Sequence, residues 1–331
     1  MTRRRLLLLL FLGIVAFAVV VSILFRADMR AARAALAGHE AIEVATTIGP
    51  VETVDAGDGF PVLSIHGTGG GFDQGLALAA GLRRTGYRVV APSRFGYLGA
   101  PVPAQTDARA QADVFAALLD ARGIDRAVVM GASAGAITAL AFAERYPDRT
   151  AALLLMVPAY YPPARTAPEP WSPVRTWAVT RALRSDFLFW AAMELFPTSM
   201  ASTILATDRD LIEGADREER ARLDAVITMI QPISDRADGL LLDALNTAAP
   251  PEIDLGEISS PTFIASAEDD HYRTADSARL LAEGIAGAEL LITPDGGHVW
   301  AGRAREVEAA TADFLERVQI EGGANETADH E

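Results

Sequence analysis

Ala127-Val128-Val129-Met130-Gly131-Ala132-Ser133-Ala134-Gly135, followed by Ala136 to Tyr146 and then Pro147, decides how this chain is read. The run from Ala127 to Met130, apolar throughout, predicts a strand buried on both faces, and the stretch from Gly135 to Tyr146, stopped by Pro147, predicts a helix. Between them lies G-x-S-x-G. That pattern sets one serine on a tight strand-to-helix turn, where small flanking residues relieve a strained backbone and leave the hydroxyl uncrowded. The field at the helix N-terminus favours negative charge developing there, and the Ala134 N–H is expected to donate to an oxyanion. A serine hydroxyl is a weak nucleophile until a base takes its proton. Gly, Ala and Ser also make turns with no function, so Ser133 needs partners elsewhere in the chain.

Upstream, the strand expected at Pro61 to Ile65 runs into His66-Gly67-Thr68-Gly69-Gly70-Gly71. Glycines after a strand let backbone approach a substrate, and the N–H of Thr68 or Gly69 is expected to complete an oxyanion hole. His66 is assigned a bracing role in that loop. Downstream, Asp295-Gly296-Gly297-His298 follows the last expected strand on a flexible loop, which makes His298 the candidate base for Ser133. His39 lies before the globular part, His330 lies in the tail and His271 directly follows the acid candidates. A carboxylate that fixes the imidazole tautomer belongs after the preceding strand, where Glu268-Asp269-Asp270 stands. Register favours Asp270, and Asp269 is the alternative.

Strands alternating with helices from residue 49 onward, one of those helices expected from about Asp73 to Thr85, predict an α/β fold with a mostly parallel, doubly wound sheet. Core segments are expected at 49–157 and 261–320. Between them, 158–260 reads as helical pieces, rich at first in Pro and aromatics including Trp171, Trp177 and Trp190, and too long for a loop without structure; a helical lid over the site is expected there. Residues 321–331 read as a disordered tail.

The N-terminus follows other rules. Arg3, Arg4 and Arg5 precede Leu6 to Phe25, twenty uncharged residues that span about 30 Å as a helix, the thickness of a bilayer core. Residues 1–25 are expected to be a signal-anchor and 26–48 a helical stalk. The length of the apolar run favours an uncleaved, single-pass anchor with the rest of the chain outside the cytoplasm; the alternative is cleavage at Ala35-Leu36-Ala37 and release as a secreted or periplasmic protein. The formal charge of −15 excludes a surface suited to nucleic acid. No cysteine is present, so disulfides, thiolate metal sites and a Cys nucleophile are excluded together. No cofactor is called for, and no His or carboxylate cluster has metal-ligand spacing.

With HG-x-G-G, G-x-S-x-G, an acid after the penultimate strand and a late His, in the order Ser133, Asp270, His298, the chain resembles the α/β-hydrolase superfamily over about residues 50 to 318. Ser93-Arg94-Phe95-Gly96-Tyr97 resembles a loop that in many members reads Asp-x-Arg-Gly-x-Gly, departing from it at Ser93 and Phe95. The resemblance implies acyl transfer to water through a covalent acyl-enzyme, with an ester or similar compound as substrate. Aromatic residues in the insertion point to an apolar acyl group. Carbon–carbon bond hydrolases and cofactor-free haloperoxidases share the same three residues and stay open, as does a non-catalytic binding module on this fold.

Overall fold

The computed structural model describes residues 3–161 and 172–320. Trp171 and the 321–331 tail lie outside them. In chain order the elements are α1 (Arg3–Ala37), β1 (Ile42–Ala45), β2 (Pro50–Ala56), β3 (Pro61–Ile65), α2 (Phe72–Leu78), α3 (Ala80–Arg84), β4 (Arg88–Pro92), α4 (Ala108–Ala121), β5 (Ala127–Ala132), α5 (Gly135–Arg145) and β6 (Thr150–Met156). A helical stretch follows, with α6 (Pro173–Leu183), α7 (Asp186–Leu195), α8 (Pro197–Ile204), α9 (Arg209–Gly214), α10 (Arg217–Thr228) and α11 (Ala237–Ala248). Then come β7 (Thr262–Ala267), α12 (Thr274–Gly284), β8 (Glu289–Thr293) and α13 (Ala304–Arg317).

All eight strands share one sheet in the order β1-β2-β4-β3-β5-β6-β7-β8. β1 pairs β2, and β2 pairs β4, antiparallel; every pairing from β4 through β8 is parallel. Parallel strands end on the same edge, so the segments after β3, β5, β7 and β8 emerge together. Side chains alternate between faces as the pleat requires. Val129, Leu153, Leu155 and Ile264 pack with Phe115, Leu140 and Leu281 of α4, α5 and α12. Val128, Leu154, Met156 and Phe263 pack with Leu82, Val307 and Phe314 of α3 and α13 on the other face. Helices cover both faces, which is why these strands read as unbroken apolar runs.

Two expectations for the N-terminal part are corrected. The apolar run does not end in a separate stalk helix reaching 48: α1 is one helix of 35 residues that stops at Ala37. Ile42–Ala45 is instead an edge strand, paired Ile42 to Thr53 and Ala45 to Pro50. The β-branched Ile42 and Val44 suit a pleated surface, where Val44 is buried, and the Thr46 hydroxyl donates to the Gly49 carbonyl at 2.6 Å to close the turn. Similarly, the single helix expected from Asp73 to Thr85 is broken at Ala79 into α2 and α3.

Candidate active site

Ser133 follows β5 directly and takes φ +50°, a left-handed conformation that a non-glycine residue adopts only where its surroundings over-determine it. Its amide donates to the Met156 carbonyl at 2.9 Å, and its own carbonyl accepts from Ala159 at 3.1 Å, so the turn is tied to the end of β6. The Gly at the close of the motif is required by contact: a Cβ on Gly135 would stand 2.3 Å from the His66 carbonyl oxygen. That closeness brings the start of α5 against the strand carrying His66. Ala134 caps α5.

The loop after β3 lies against the serine. A Cβ on Gly67 would stand 3.2 Å from that of Ser133. His66 is buried and neutral: burial, with the charges of Arg94 and Arg236, holds its ring well below the ordinary histidine value. Its Nε2 accepts from the Arg94 amide at 3.0 Å, so Nδ1 carries the proton and donates to the Gly67 carbonyl at 2.7 Å. The Arg94 guanidinium donates to the same carbonyl at 3.0 Å. The Gly70 amide donates to it as well, at 3.3 Å. In a trans peptide the next N–H points the opposite way, so these three donors on the Gly67 oxygen turn the Thr68 N–H away from them. Thr68 is exposed. The other expected donor, the Gly69 N–H, is already engaged by the Tyr97 hydroxyl at 3.2 Å. Of the two alternatives only Thr68 keeps the role open to it.

His298 and Asp270 meet. Nδ1 of His298 lies 2.7 Å from Oδ2 of Asp270, whose other oxygen accepts from the Tyr272 amide at 2.8 Å, while the Thr274 hydroxyl donates to Oδ2. Burial raises the Asp270 carboxyl, but the hydrogen bond and charge of His298, with the bonds from Thr274 and Tyr272, outweigh it and leave it below its ordinary value. It is an anion behind an imidazole. Tyr272 packs edge-on against the His298 ring at 5.0 Å between centroids. Asp269 acts elsewhere: its oxygens accept from the Gly297 and Gly296 amides at 2.8 and 3.2 Å, holding the backbone that carries His298. Gly297, at φ +60°, has no room for a side chain, since a Cβ would stand 2.2 Å from the Thr207 hydroxyl. The loops also lean back across the sheet edge, for Tyr161 after β6 donates to the Tyr272 carbonyl. Ser133, Asp270 and His298 therefore stand on one edge, with the imidazole and carboxylate in contact.

Residues that sequence reasoning missed join the helical stretch to this edge. Arg94 donates to both oxygens of Asp243 on α11 at 2.6 and 2.7 Å, and the Tyr97 hydroxyl donates to the same carboxylate at 2.5 Å. Arg236, fully buried, pairs with both oxygens of Asp73 on α2 at 3.2 and 2.7 Å and donates to the Gly70 carbonyl at 2.6 Å. Both arginines thus hold carbonyls of the loop after β3. Burial raises the Tyr97 phenol well above its usual value, reinforced by Asp243, so it stays a proton donor. On the other side, Arg222 of α10 donates to the Val299 carbonyl at 2.8 Å and Glu219 accepts from Gly302 at 2.8 Å, gripping the segment that follows His298. Of these, Arg94 and Tyr97 carried a signal in the sequence, through their loop's resemblance. Among the described residues no group of His, Asp and Glu is arranged to hold a metal ion.

Comparison with known proteins agrees with the fold. A family model described as alpha/beta hydrolase fold matches residues 61–300. A 2-hydroxy-6-oxo-6-phenylhexa-2,4-dienoate hydrolase of Comamonas testosteroni is 25% identical over 290 residues, covering 79% of this chain and 89% of the relative. Among solved structures, an alpha/beta hydrolase fold protein from Nakamurella multipartita superposes with a TM-score of 0.68 at 26% identity, over 83% of this chain and 99% of its own. A thermophilic esterase from Thermogutta terrifontis gives 0.62 at 25% identity, over 84% and 99%.

Proposed function

Because the chain belongs to the alpha/beta hydrolase fold family, we propose that it is a serine hydrolase of an ester or similar acyl compound, anchored in a membrane by α1. The observation that carries the reading is the His298–Asp270 hydrogen bond on the same sheet edge as a serine held at positive φ. Asp270 fixes Nδ1 of the ring and leaves Nε2 for proton transfer. In the proposed reaction Nε2 takes the proton of the Ser133 hydroxyl as Oγ adds to the substrate carbonyl carbon. The oxyanion so formed accepts from the N–H groups of Ala134 and Thr68. Collapse expels the alcohol, which leaves with the proton returned by His298. Water then attacks the acyl-enzyme by the same route, its proton passing to His298 and on to Ser133 Oγ as the acid departs.

Two further features shape the proposal. α1 is the one helix among the described residues long and apolar enough to cross a membrane, which supports a single-pass anchor, and Arg3 to Arg5 ahead of the apolar run favour the orientation that puts the catalytic part outside the cytoplasm. α6 to α11, braced to the loop after β3 and to the segment after His298, act as a lid that shapes an apolar acyl site. A second reading has its own support. The Comamonas relative is named for hydrolysis of a 2-hydroxy-6-oxo-dienoate, so cleavage of a carbon–carbon bond by the same three residues is the alternative.

Full-length protein treated with a fluorophosphonate probe is expected to label, and the Ser133→Ala chain not to. A folded protein that neither labels nor turns over an ester or a 2-hydroxy-6-oxo-dienoate is a binding module and not a hydrolase of either kind. Kinetics on p-nitrophenyl esters of increasing chain length, set against loss of absorbance of a 2-hydroxy-6-oxo-dienoate, decide between the two bonds. Turnover of the dienoate alone replaces the ester reading by the second one. Protease treatment of intact spheroplasts should degrade the globular part, and its protection would place it in the cytoplasm.

A further inference from the structure

α1 does not leave the apolar run through a free linker. The helix continues past Phe25, whose ring packs edge-on against Phe187 and Trp190 of α7 at centroid distances of 5.4 and 5.6 Å. One turn further on, the Trp190 indole N–H donates to Asp28 at 2.8 Å and Met29 is buried. Arg33 reaches Asp186 at 3.5 Å. A helix rises about 1.5 Å per residue, so Asp28 lies about 5 Å along the axis from Phe25. α7 is therefore fastened within about one helical turn of the end of the apolar run.

Among the described residues, the side of α7 that carries Leu188 and Leu195 is apolar and uncovered. Leu188 and Leu195, two turns apart on one face, are 51% and 71% exposed, and Phe196 at the end of the helix is 61% exposed. Ala191 and Ala192 lie between the two leucines on that face. Single exposed leucines are ordinary on protein surfaces, but these belong to an element pinned beside a stretch of membrane-spanning length. On α1 the neighbouring Arg26 and Arg30 are exposed.

We propose that the face of α7 bearing Leu188, Leu195 and Phe196 is a membrane contact, seated in the headgroup–acyl boundary of the same bilayer that receives Leu6 to Phe25. The proposal rests on the anchor reading above. An amphipathic element at that depth buries its apolar face while its polar side remains wet. Continuity of one rigid helix identifies the occupant: the bilayer that holds the apolar run is the surface nearest to α7.

The absence of cysteine makes the test clean, since any cysteine introduced is unique. Full-length Leu195→Cys and Phe196→Cys chains, with Leu290→Cys on the opposite edge strand β8 as control, are labelled with an environment-sensitive nitrobenzoxadiazole dye. They are reconstituted in vesicles of equal parts phosphatidylcholine and phosphatidylglycerol, with circular dichroism confirming the fold. Labels at 195 and 196 are expected to shift to the blue and to be quenched several-fold more by shallow spin-labelled lipid than by aqueous iodide, with the reverse at 290. Flotation on a density gradient reads the anchor separately. Chains that float while their 195 and 196 labels answer to iodide as 290 does overturn the contact and leave the anchor standing. Chains that fail to float overturn the anchor and the contact with it.

Discussion

The sheet edge that carries Ser133, Asp270 and His298 and the helical stretch from α6 to α11 are held in different ways. On the edge each residue lies within a few positions of a strand end, and the strands are fixed by apolar packing on both faces. Among the described residues the helical stretch has a small core of its own, around Leu205, Leu223 and Ile227, and its polar contacts with the rest include two buried arginine–aspartate pairs and the grip of α10. Local backbone geometry sets the residues proposed for the chemistry, and long-range polar contacts hold the stretch proposed to cover them. Substitutions that separate the two should therefore differ in kind: those at the edge should lower turnover with little change in stability, and those in the braces the reverse.

The largest effect is expected at Asp270. Asp270→Asn keeps the shape but loses the anion that orients His298, and kcat on an ester substrate should fall by roughly 10³- to 10⁴-fold. Asp269→Asn removes a carboxylate that holds only backbone amides, and the loss should stay within roughly tenfold, because an amide oxygen can still accept one of those bonds. Equal losses would erase the division of labour between adjacent aspartates that the hydrogen bonds describe.

Next comes the brace. Arg94→Met leaves Asp243 buried without its cation, which should cost about 3–5 kcal/mol in chemical denaturation. Adding Asp243→Leu should recover much of that, because removing both charges also removes their desolvation cost. A single variant of ordinary stability would mean that the pair does not hold the helical stretch in place.

These two predictions mark what was legible. The places of Ser133, Asp270 and His298 at strand ends were readable because strand ends are visible as apolar runs and the proposed chemistry needs particular residue types just beyond them. Register pointed to Asp270 over Asp269, and it is the Asp270 carboxylate that meets the His298 ring while Asp269 meets backbone amides. Asp73, Arg236 and Asp243 were not readable. A buried, bidentate ion pair between residues 149 or 163 positions apart looks in sequence like two ordinary surface charges. β1 was misread for a related reason: four residues after a long helix give too short a pattern, and only pairing with β2 makes them a strand. The Gly69 amide was assigned as a possible oxyanion donor because nothing in the sequence announces that Tyr97 occupies it.

Acid should sharpen the comparison more gently. The Asp270 carboxyl is lowered on folding, so its contribution to stability is present above the ordinary carboxylate value and is lost as pH falls through the folded one. Below about pH 4 the parent chain should lose stability more steeply than Asp270→Asn, by less than about 1.4 kcal/mol per pH unit. Parallel acid limbs would mean that the carboxylate gains nothing from His298, Thr274 and Tyr272 in the folded state.

The smallest effect, and the one that bears most directly on the boundary between chemistry and brace, is expected at Tyr97. Its hydroxyl accepts from the Gly69 N–H and donates to Asp243, so Tyr97→Phe removes one bond from each while Arg94 still pairs with Asp243. Both groups are buried, and stability should drop by about 1–2 kcal/mol. Turnover should hardly change, since Thr68 and Ala134, not Gly69, are the proposed donors to the oxyanion. Steady-state kinetics on the same ester measures this. A tenfold or larger change in kcat at constant KM would mean that the released Gly69 amide, or a loop freed by its release, has altered the oxyanion site. In that case the tyrosine would be a positioning residue for the reaction, and the cover could not be varied independently of the edge it covers.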